Sequence, residues 1–544
     1  MSAATAWLQS YSGVRATLGL RPEVSPDAEA FAFRHAYCYA LSRLQADPSP
    51  RATLVLARDP RPTSPALARA QAEGLSSACR HLGVSLELVD LGVASTPLWQ
   101  HSVRLFDAQG GVMITASHNP IEDNGWKYAT GVTTVAMDPA PPGALLSAAE
   151  MANLIRAAGA FTPVAVRESM TLTADAGARE RALLEYVRFI AGTYGAHTSD
   201  ARVVLDPNGG AACTIADRVF RALGIEPIVV NGQEGEPAHE IDVEHVHADG
   251  THVLNALADR VRRESALFGL AFDFDADRGN LTYVDAADRV HIPSPQAAAA
   301  INTAIALAVH RRAGDGRTPA VVASDATSCR VKQIAAAFGA DVVEVETGEI
   351  HVVSAMHDLD ARGKRAVVGV EGANGGTIFA GTTCRDGALV GAGALLAAAD
   401  HELRVIIAAT LAPGHMLAPG LSGLIDVLPP QRSLSLKHRA SGDWSKTVDH
   451  LERELPRVFA AELSRDWARF DFCYSCKKYA GPERPVASGY GWKARFFRPG
   501  AEAFLWIRGS KTEAGIVRIV GDAPDTASAQ ALLNLGQRML DGVV

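Results

Sequence analysis

A short apolar strand, a loop bearing Gly or Asp, a helix and a second strand recur three times along this chain, and that recurrence is its strongest constraint on the fold. ATLVLARDPRPTSPALARAQAEGL (52–75) opens the first unit, ARVVLDPNGGAACTIADRVFRAL (201–223) the second and PAVVASDATSCRVKQIAAAFG (319–339) the third. Each strand is a continuous β-branched or aliphatic run, as in a strand covered on both faces, and each helix has apolar residues spaced by three or four. The strands VSLELVDLG (84–92), GIEPIVV (224–230) and ADVVEVE (340–346) complete the units. The pattern predicts an α/β fold of three related domains with mixed sheets.

The end of the chain reads differently. KTVDHLERELPRVFAAEL (446–463) is helical, AFLWIRGS (503–510) and IVRIVGDA (516–523) are strand-like, and TASAQALLNLGQRML (526–540) is a closing helix. This predicts a C-terminal α+β domain, approached through the Pro/Gly-rich hinge LAPGHMLAPGLSG (411–423).

With 544 residues, 48% of them hydrophobic, the chain exceeds what one core holds. About 150 residues per domain gives three to five. A net charge of −8 with no basic run leaves no footprint for a nucleic acid. Any anionic substrate must be held by locally placed Arg and Lys. MSAATAWLQSYSGVR has no basic start followed by an apolar stretch, so no secretory signal is expected. The apolar window 297–310 is short and broken by polar residues, so no membrane span is expected either. Seven cysteines, odd in number and sparse, suit a reducing cytoplasm. Cys473 and Cys476 form a CxxC with no second pair at zinc spacing, and read as reduced thiols. No obligate protein partner is evident.

Four segments carry chemistry. In the first, an apolar strand (110–114) runs into Thr115-Ala116-Ser117-His118-Asn119-Pro120. A hydroxyl at such a strand end can be exposed, with backbone N–H groups facing an anion. Ser117 is therefore a candidate nucleophile, although an ordinary βα loop has the same composition. Pro120 and Asn124-Gly125 stop the loop continuing as a helix, and Lys127 follows closely.

In the second, Asp273, Asp275 and Asp277 alternate before Arg278. In an extended loop alternate side chains fall on one side, so three carboxylates converge on a hard cation, without which they would repel. Mg²⁺ suits this oxygen set, and the loop lacks the Gly and Glu of an EF-hand. Arg278 can stabilise a transferring phosphoryl group, while a solvated acidic turn is the plainer reading.

The third, Glu371-Gly372-Ala373-Asn374, offers a carboxylate and an amide suited to sugar hydroxyls, though a bare Gly-rich turn looks similar. The fourth, Arg508-Gly509-Ser510-Lys511-Thr512-Glu513, has the makings of an anion nest.

Together and in this order, these segments resemble the α-D-phosphohexomutase family, which includes phosphoglucomutases and phosphomannomutases. Ser12-Gly13-Val14-Arg15 is similar to its N-terminal Ser-Gly-x-Arg, and Arg58-Asp59-x-Arg61-x-x-Ser64 to its Arg-Asp-x-Arg segment. Thr-Ala-Ser-His-Asn-Pro followed by Asn-Gly-x-Lys is the most specific match. The resemblance runs nearly end to end and implies four domains around a central cleft. They would be a phosphoserine-loop domain (1–195), a metal-binding domain (196–292), a sugar-binding domain (293–425) and a phosphate-binding C-terminal domain (426–544).

The resemblance also implies the chemistry. Ser117 carries a phosphoryl group, and one Mg²⁺ per chain sits on Asp273, Asp275, Asp277 and an oxygen of phosphorylated Ser117. Hexose 1-phosphate and hexose 6-phosphate, of glucose and/or mannose, interconvert through a hexose bisphosphate that also serves as activator. Lys127, with His118 or Arg15, handles the hydroxyl proton; a guanidinium is a poor base, which favours Lys127. Arg58, Glu371, Asn374, Arg508, Ser510 and Thr512 meet the substrate, the last three at the non-reacting phosphate. The sugar phosphate is the one expected partner.

Some positions depart from the family pattern. Phe274 replaces a usual Gly, Ile350 stands where Lys or Arg is frequent, and Lys511 and Ala514 replace Gly and Pro. These leave phosphoglucosamine mutase, or a non-catalytic sugar-phosphate-binding relative, as alternatives. A phosphatase that hydrolyses phosphoserine is a further competing reading.

Overall fold

The computed structural model describes residues 5–46, 49–132, 140–161, 169–195, 201–439, 444–474, 491–509 and 515–542. Its contacts group the chain into two compact units. One holds residues 1–294, 376–404 and 418–423, and the other 295–375, 405–417 and 424–544.

The first unit begins on a six-stranded sheet. Arg51–Arg58 lies between Ser85–Val93 and Gly110–Ile114, and all three run parallel. Leu54, Val55, Leu56 and Ala57 are fully buried, as a strand covered on both faces requires. Asp123–Thr130, Gly13–Thr17 and Leu8–Ser10 extend the sheet antiparallel. The helices Pro26–Ala46 and Ser64–Leu82 pack closely because Gly74 has no side chain; a Cβ there would sit 2.4 Å from the Phe33 carbonyl oxygen. Burying Trp126, Tyr39, Leu54 and Val112 in this core contributes about 1.5–3 kcal/mol for each large apolar side chain.

A second sheet in the same unit orders Val290–His291, Gly279–Val284, Phe268–Phe272, Val203–Asp206 and Ile228–Val229. The expected repeat is present, since Val203–Asp206 pairs parallel with both Ile228–Val229 and Phe268–Phe272. Phe268–Phe272 and Gly279–Val284 are antiparallel arms of a hairpin, with Phe272 opposite Gly279. Residues 273–278 are therefore a tight turn and not the extended loop expected from the alternating aspartates. The reason is local hydrogen bonding: Ala276 N donates to Asp273 O at 2.9 Å, and Arg278 N donates to Asp273 Oδ1 at 3.1 Å. Ala276 takes the left-handed φ of +59° that lets the turn close.

In the second unit, Pro319–Ser324 lies parallel between Asp341–Val345 and Arg365–Glu371, which is the third repeat. A five-stranded antiparallel sheet follows in the order Arg432–Arg439, Ile516–Ala523, Ala501–Gly509, Trp492–Arg498 and Arg469–Tyr474. Helix Thr526–Asp541 packs on it. The expected helix 446–463 is Trp444–Val458, continued by a π-turn over Phe459–Leu463. Cys473 is buried and unbridged, while Cys476 lies outside the described residues. Among the described residues no helix is long and apolar enough to cross a membrane.

Candidate active site

Ser117 sits on the connection between Gly110–Ile114 and Asp123–Thr130, where the chain must reverse between antiparallel strands. Its φ is +56°, a left-handed value uncommon for a non-glycine residue, and its N–H donates to Thr115 Oγ1 at 2.7 Å. The buried Arg61 guanidinium gathers this connection. It donates to the carbonyl oxygens of Ser117 (2.6 Å), Asn119 (2.8 Å), Asp123 (2.8 Å) and Pro120, while Asp59 accepts from its Nε at 3.0 Å. The expected exposure of Ser117 is not found: the residue is 2% exposed, drawn inward by this fork of donors.

The Ser117 hydroxyl faces the aspartate turn, with Oγ 3.4 Å from Asp273 Oδ2 and 3.5 Å from His118 Nδ1. Asp273, Asp275 and Asp277 are fully buried, and one oxygen from each lies within 4.8 Å of the others. Lys127 comes from Asp123–Thr130, where it pairs across the sheet with Met113. Its Nζ donates to Asp275 Oδ2 at 2.8 Å and to Asp277 Oδ2 at 3.2 Å. Arg278 reaches Asp273 Oδ2 through Nε and Glu244 Oε1 through Nη1, each at 3.0 Å.

The charges push the carboxyls apart. Burial, with Asp277 and Asp275 beside it, raises the Asp273 carboxyl well above its ordinary value, against the pull of Arg278. Burial works the same way on Asp277, but Arg385, Lys127 and Arg278 together hold it well below the carboxylate range. Arg15, opposite Gly125 in the sheet, is buried in the same field; burial lowers its guanidinium to about 10 while Asp275 pulls it back up. It stays charged at neutral pH, which fits anion binding better than proton abstraction.

Asp275 Oδ1 and Asp277 Oδ1 are buried and meet no hydrogen-bond donor among the described residues. A buried carboxylate oxygen left unpaired costs free energy that an oxygen-seeking cation recovers. The three aspartates therefore fit a hard divalent cation such as Mg²⁺, and Ser117 Oγ lies 3.4 Å from one of them.

Arg385, Thr96 and Glu244 were not anticipated from the sequence. Arg385 Nη2 lies 2.5 Å from Asp277 Oδ2, and Thr96 Oγ1 donates to Asp275 Oδ2 at 2.7 Å. Arg385 precedes Asp386, whose carboxylate accepts from Leu389 N at 3.0 Å and so caps the apolar helix Gly387–Ala399. Tyr186 OH donates to both Asp386 oxygens, at 2.9 and 2.8 Å. That Arg-Asp-Gly start of a helix was the available signal for Arg385. Phe274, the departure from Gly, is buried under Arg61, 5.2 Å from ring centroid to guanidinium carbon, and so braces the fork that shapes the Ser117 connection.

The remaining candidates are on other elements of the chain. Arg58 is half-buried at the end of its strand and acts electrostatically on Asp90. In the second unit, Glu371 ends its strand buried and accepts from Asn374 Nδ2 at 3.4 Å. Arg508 donates to Thr347 O at 3.0 Å and lies 3.4 Å from Glu346 Oε1. Ile350 is buried in helix Glu349–Ala361. Ser510, Lys511, Thr512 and Ala514 lie outside the described residues.

Residues 12–136 match the family model of phosphoglucomutase/phosphomannomutase alpha/beta/alpha domain I, and residues 300–411 match that of domain III. The chain is 31% identical over 272 residues to a phosphoglucosamine mutase of Lactobacillus johnsonii, covering 49% of this chain and 53% of that protein. It is 29% identical over 346 residues to one of Paracidovorax citrulli, covering 63% and 69%. Its match to the first of these curated relatives spans about half of that protein's length. Its fold is similar to a phosphoglucomutase/phosphomannomutase family protein of Burkholderia thailandensis, with a TM-score of 0.67 at 19% identity over 98% of this chain and 97% of that one. It is also similar to the Paramecium phosphoprotein pp63/parafusin, with a TM-score of 0.64 at 16% identity over 99% and 96%.

Proposed function

Because this chain belongs to the phosphoglucomutase/phosphomannomutase family, we propose that it is a phosphohexose mutase in which Ser117 carries the phosphoryl group. One observation carries the reading. The Ser117 hydroxyl lies 3.4 Å from a carboxylate of a buried aspartate triad that also holds Lys127.

In the forward half-reaction the bond between phosphorus and Ser117 Oγ breaks as a sugar hydroxyl oxygen bonds to phosphorus. The hydroxyl proton leaves to Lys127 or to His118, and Ser117 Oγ is left ready to take the opposite phosphate back. Lys127 must first release Asp275 and Asp277, since both favour its charged form. Arg278, anchored by Asp273 and Glu244, is placed to spread charge on the moving phosphoryl group. Asp273, Asp275 and Asp277 would hold Mg²⁺, which when bound supplies charge neutralisation at phosphoryl oxygens. Burial of Ser117 disfavours water as acceptor and supports transfer over hydrolysis.

The same reading assigns Arg58, Glu371 and Asn374 to the sugar, Arg508 with Ser510 and Thr512 to the non-reacting phosphate, and residues 1–195, 196–292, 293–425 and 426–544 to four domains. A hexose bisphosphate would act as activator. The low cysteine content of the sequence, seven in 544 residues, suits the reducing cytoplasm in which this reading places the enzyme. The curated relatives named phosphoglucosamine mutase bring the amino sugar forward beside glucose and mannose.

A coupled assay on glucose 1-phosphate, mannose 1-phosphate and glucosamine 1-phosphate, primed with the matching bisphosphate, tests the reading. Turnover of at least one is expected, with Ser117→Ala abolishing it. Unchanged activity in Ser117→Ala would sink the mechanism, and phosphate release faster than isomerisation would make the enzyme a phosphatase.

A further inference from the structure

We propose that Glu240, His245 and His247 form a second metal site in the first unit, one that takes a divalent transition ion of the zinc type through two imidazoles and a carboxylate. It lies outside the aspartate triad and does not depend on the reaction assigned above.

A short hairpin sets the geometry. Val246 bridges His252 antiparallel, His247 N donates to Thr251 O at 2.8 Å, and Val253 N donates to His245 O at 3.1 Å. Gly250, at φ +84°, closes the turn. Residues two apart on such a strand share a face, so both rings fall on one side, with centroids 4.9 Å apart. Glu240 meets both. His245 Nδ1 pairs with its Oε2, and His247 Nδ1 stands 3.7 Å from its Oε1. All three ligand atoms lie within 4.8 Å of one another.

His245 Nδ1 is paired directly with Glu240 Oε2, and two features at His247 and in the scaffold leave room for an ion beside that pair. A spacing of 3.7 Å is too long for a hydrogen bond. Two zinc–ligand bonds of about 2.1 Å at a tetrahedral angle separate their ligand atoms by roughly 3.4 Å, close to that spacing. The scaffold is also held in advance. Asn208 Nδ2 donates to the carbonyls of His239 and Glu240 at 3.1 and 3.4 Å, Asn208 Oδ1 accepts from Ala238 N at 2.9 Å, and Val243 and Leu254 are buried on either side of the hairpin. Little ordering is left for the ion to impose.

Two imidazoles and one carboxylate with a free fourth position are the donor set of zinc sites, and nitrogen donors select against Mg²⁺. The three side chains are 41–47% exposed, so an ion reaches them from solvent. His239, Asp242, Asp249 and His252 are further titratable groups facing this cluster. Glu244, next to His245, holds Arg278, so a bound ion would stiffen the segment that anchors that guanidinium.

Isothermal titration of Zn²⁺ into the full chain in excess Mg²⁺, with zinc-edge X-ray absorption, tests the site. One equivalent of Zn²⁺ is expected to bind despite Mg²⁺ and to show imidazole scattering. His247→Ala and Glu240→Gln should each weaken binding by at least about tenfold. Binding that excess Mg²⁺ abolishes, or that both variants retain unchanged, would overturn the proposal. Far-UV circular dichroism checks that each variant is folded, and the near-isosteric Glu240→Gln decides if His247→Ala is not.

Discussion

Lys127 Nζ is 2.8 Å from Asp275 Oδ2, and both side chains are buried. The ammonium therefore neutralises a carboxylate that also suits a cation, and under the proposed mechanism it would also take a proton. Its positive charge and its basicity are separable by substitution.

Lys127→Arg keeps the charge but supplies no base, because a guanidinium stays protonated. Lys127→Met removes both. Each variant is expected to lose about 10²- to 10⁴-fold in kcat. Only Lys127→Met should lower the Mg²⁺ concentration needed for half-maximal binding, since a competing cation is gone. Steady-state kinetics and a Mg²⁺ titration separate the two effects.

Arg61 is 1% exposed and holds four carbonyl oxygens around Ser117. Lysine keeps the charge beside Asp59 but has no fork to reach them all, and a buried carbonyl left without its donor costs about 1–3 kcal/mol. Arg61→Lys should therefore lower the urea midpoint and slow phosphorylation of Ser117 by the bisphosphate. An unchanged midpoint would mean that the connection holds its shape without the guanidinium.

Mg²⁺ should stabilise the protein through the triad, because Asp275 Oδ1 and Asp277 Oδ1 are buried without a hydrogen bond among the described residues. Mg²⁺ at one hundred times its dissociation constant gives about 2.7 kcal/mol by mass action. Chelation should lower Tm accordingly, and Asp275→Asn should abolish the response. A Tm indifferent to Mg²⁺ in the unsubstituted protein would count against the triad as its ligand.

Asp386 makes stability fall as pH rises. Burial raises its carboxyl from 3.8 to about 7, against the opposing hydrogen bonds from Leu389 and Tyr186. Between pH 4 and 7 the folded chain keeps a proton that the unfolded chain releases. Its contribution is thus complete below the unfolded value and is lost up to about pH 7, with a slope of at most about 1.4 kcal/mol per pH unit. Asp386→Asn keeps a helix cap and should flatten that slope, as read from unfolding free energies at pH 4.5, 5.5 and 6.5. Parallel curves for the two proteins would refute the assignment.

Much of this site was legible from short stretches of chain. The strand-end serine, the alternating aspartates and the nearby lysine lie within a few residues of the neighbours that give them meaning. The shape of the aspartate turn was misread, because alternation along the chain implied an extended loop and said nothing of the antiparallel arms. Arg385 stayed hidden because its partner Asp277 is 108 residues away, and Thr96 because Asp275 is 179 away.

The sequence alone determined the repeating strand–helix units, the oxygen donor set and the strand-end serine proposed as nucleophile, since periodicity and donor chemistry belong to neighbours along the chain. Tertiary structure alone decided that Lys127 meets Asp275 across 148 residues, that Arg61 holds the Ser117 carbonyl, and that Phe274 rests under that guanidinium. Closing loops of that length costs entropy that no local pattern repays. Only the packed sheets, with their burial of Trp126, Leu54 and Phe272, supply the free energy that holds those partners together.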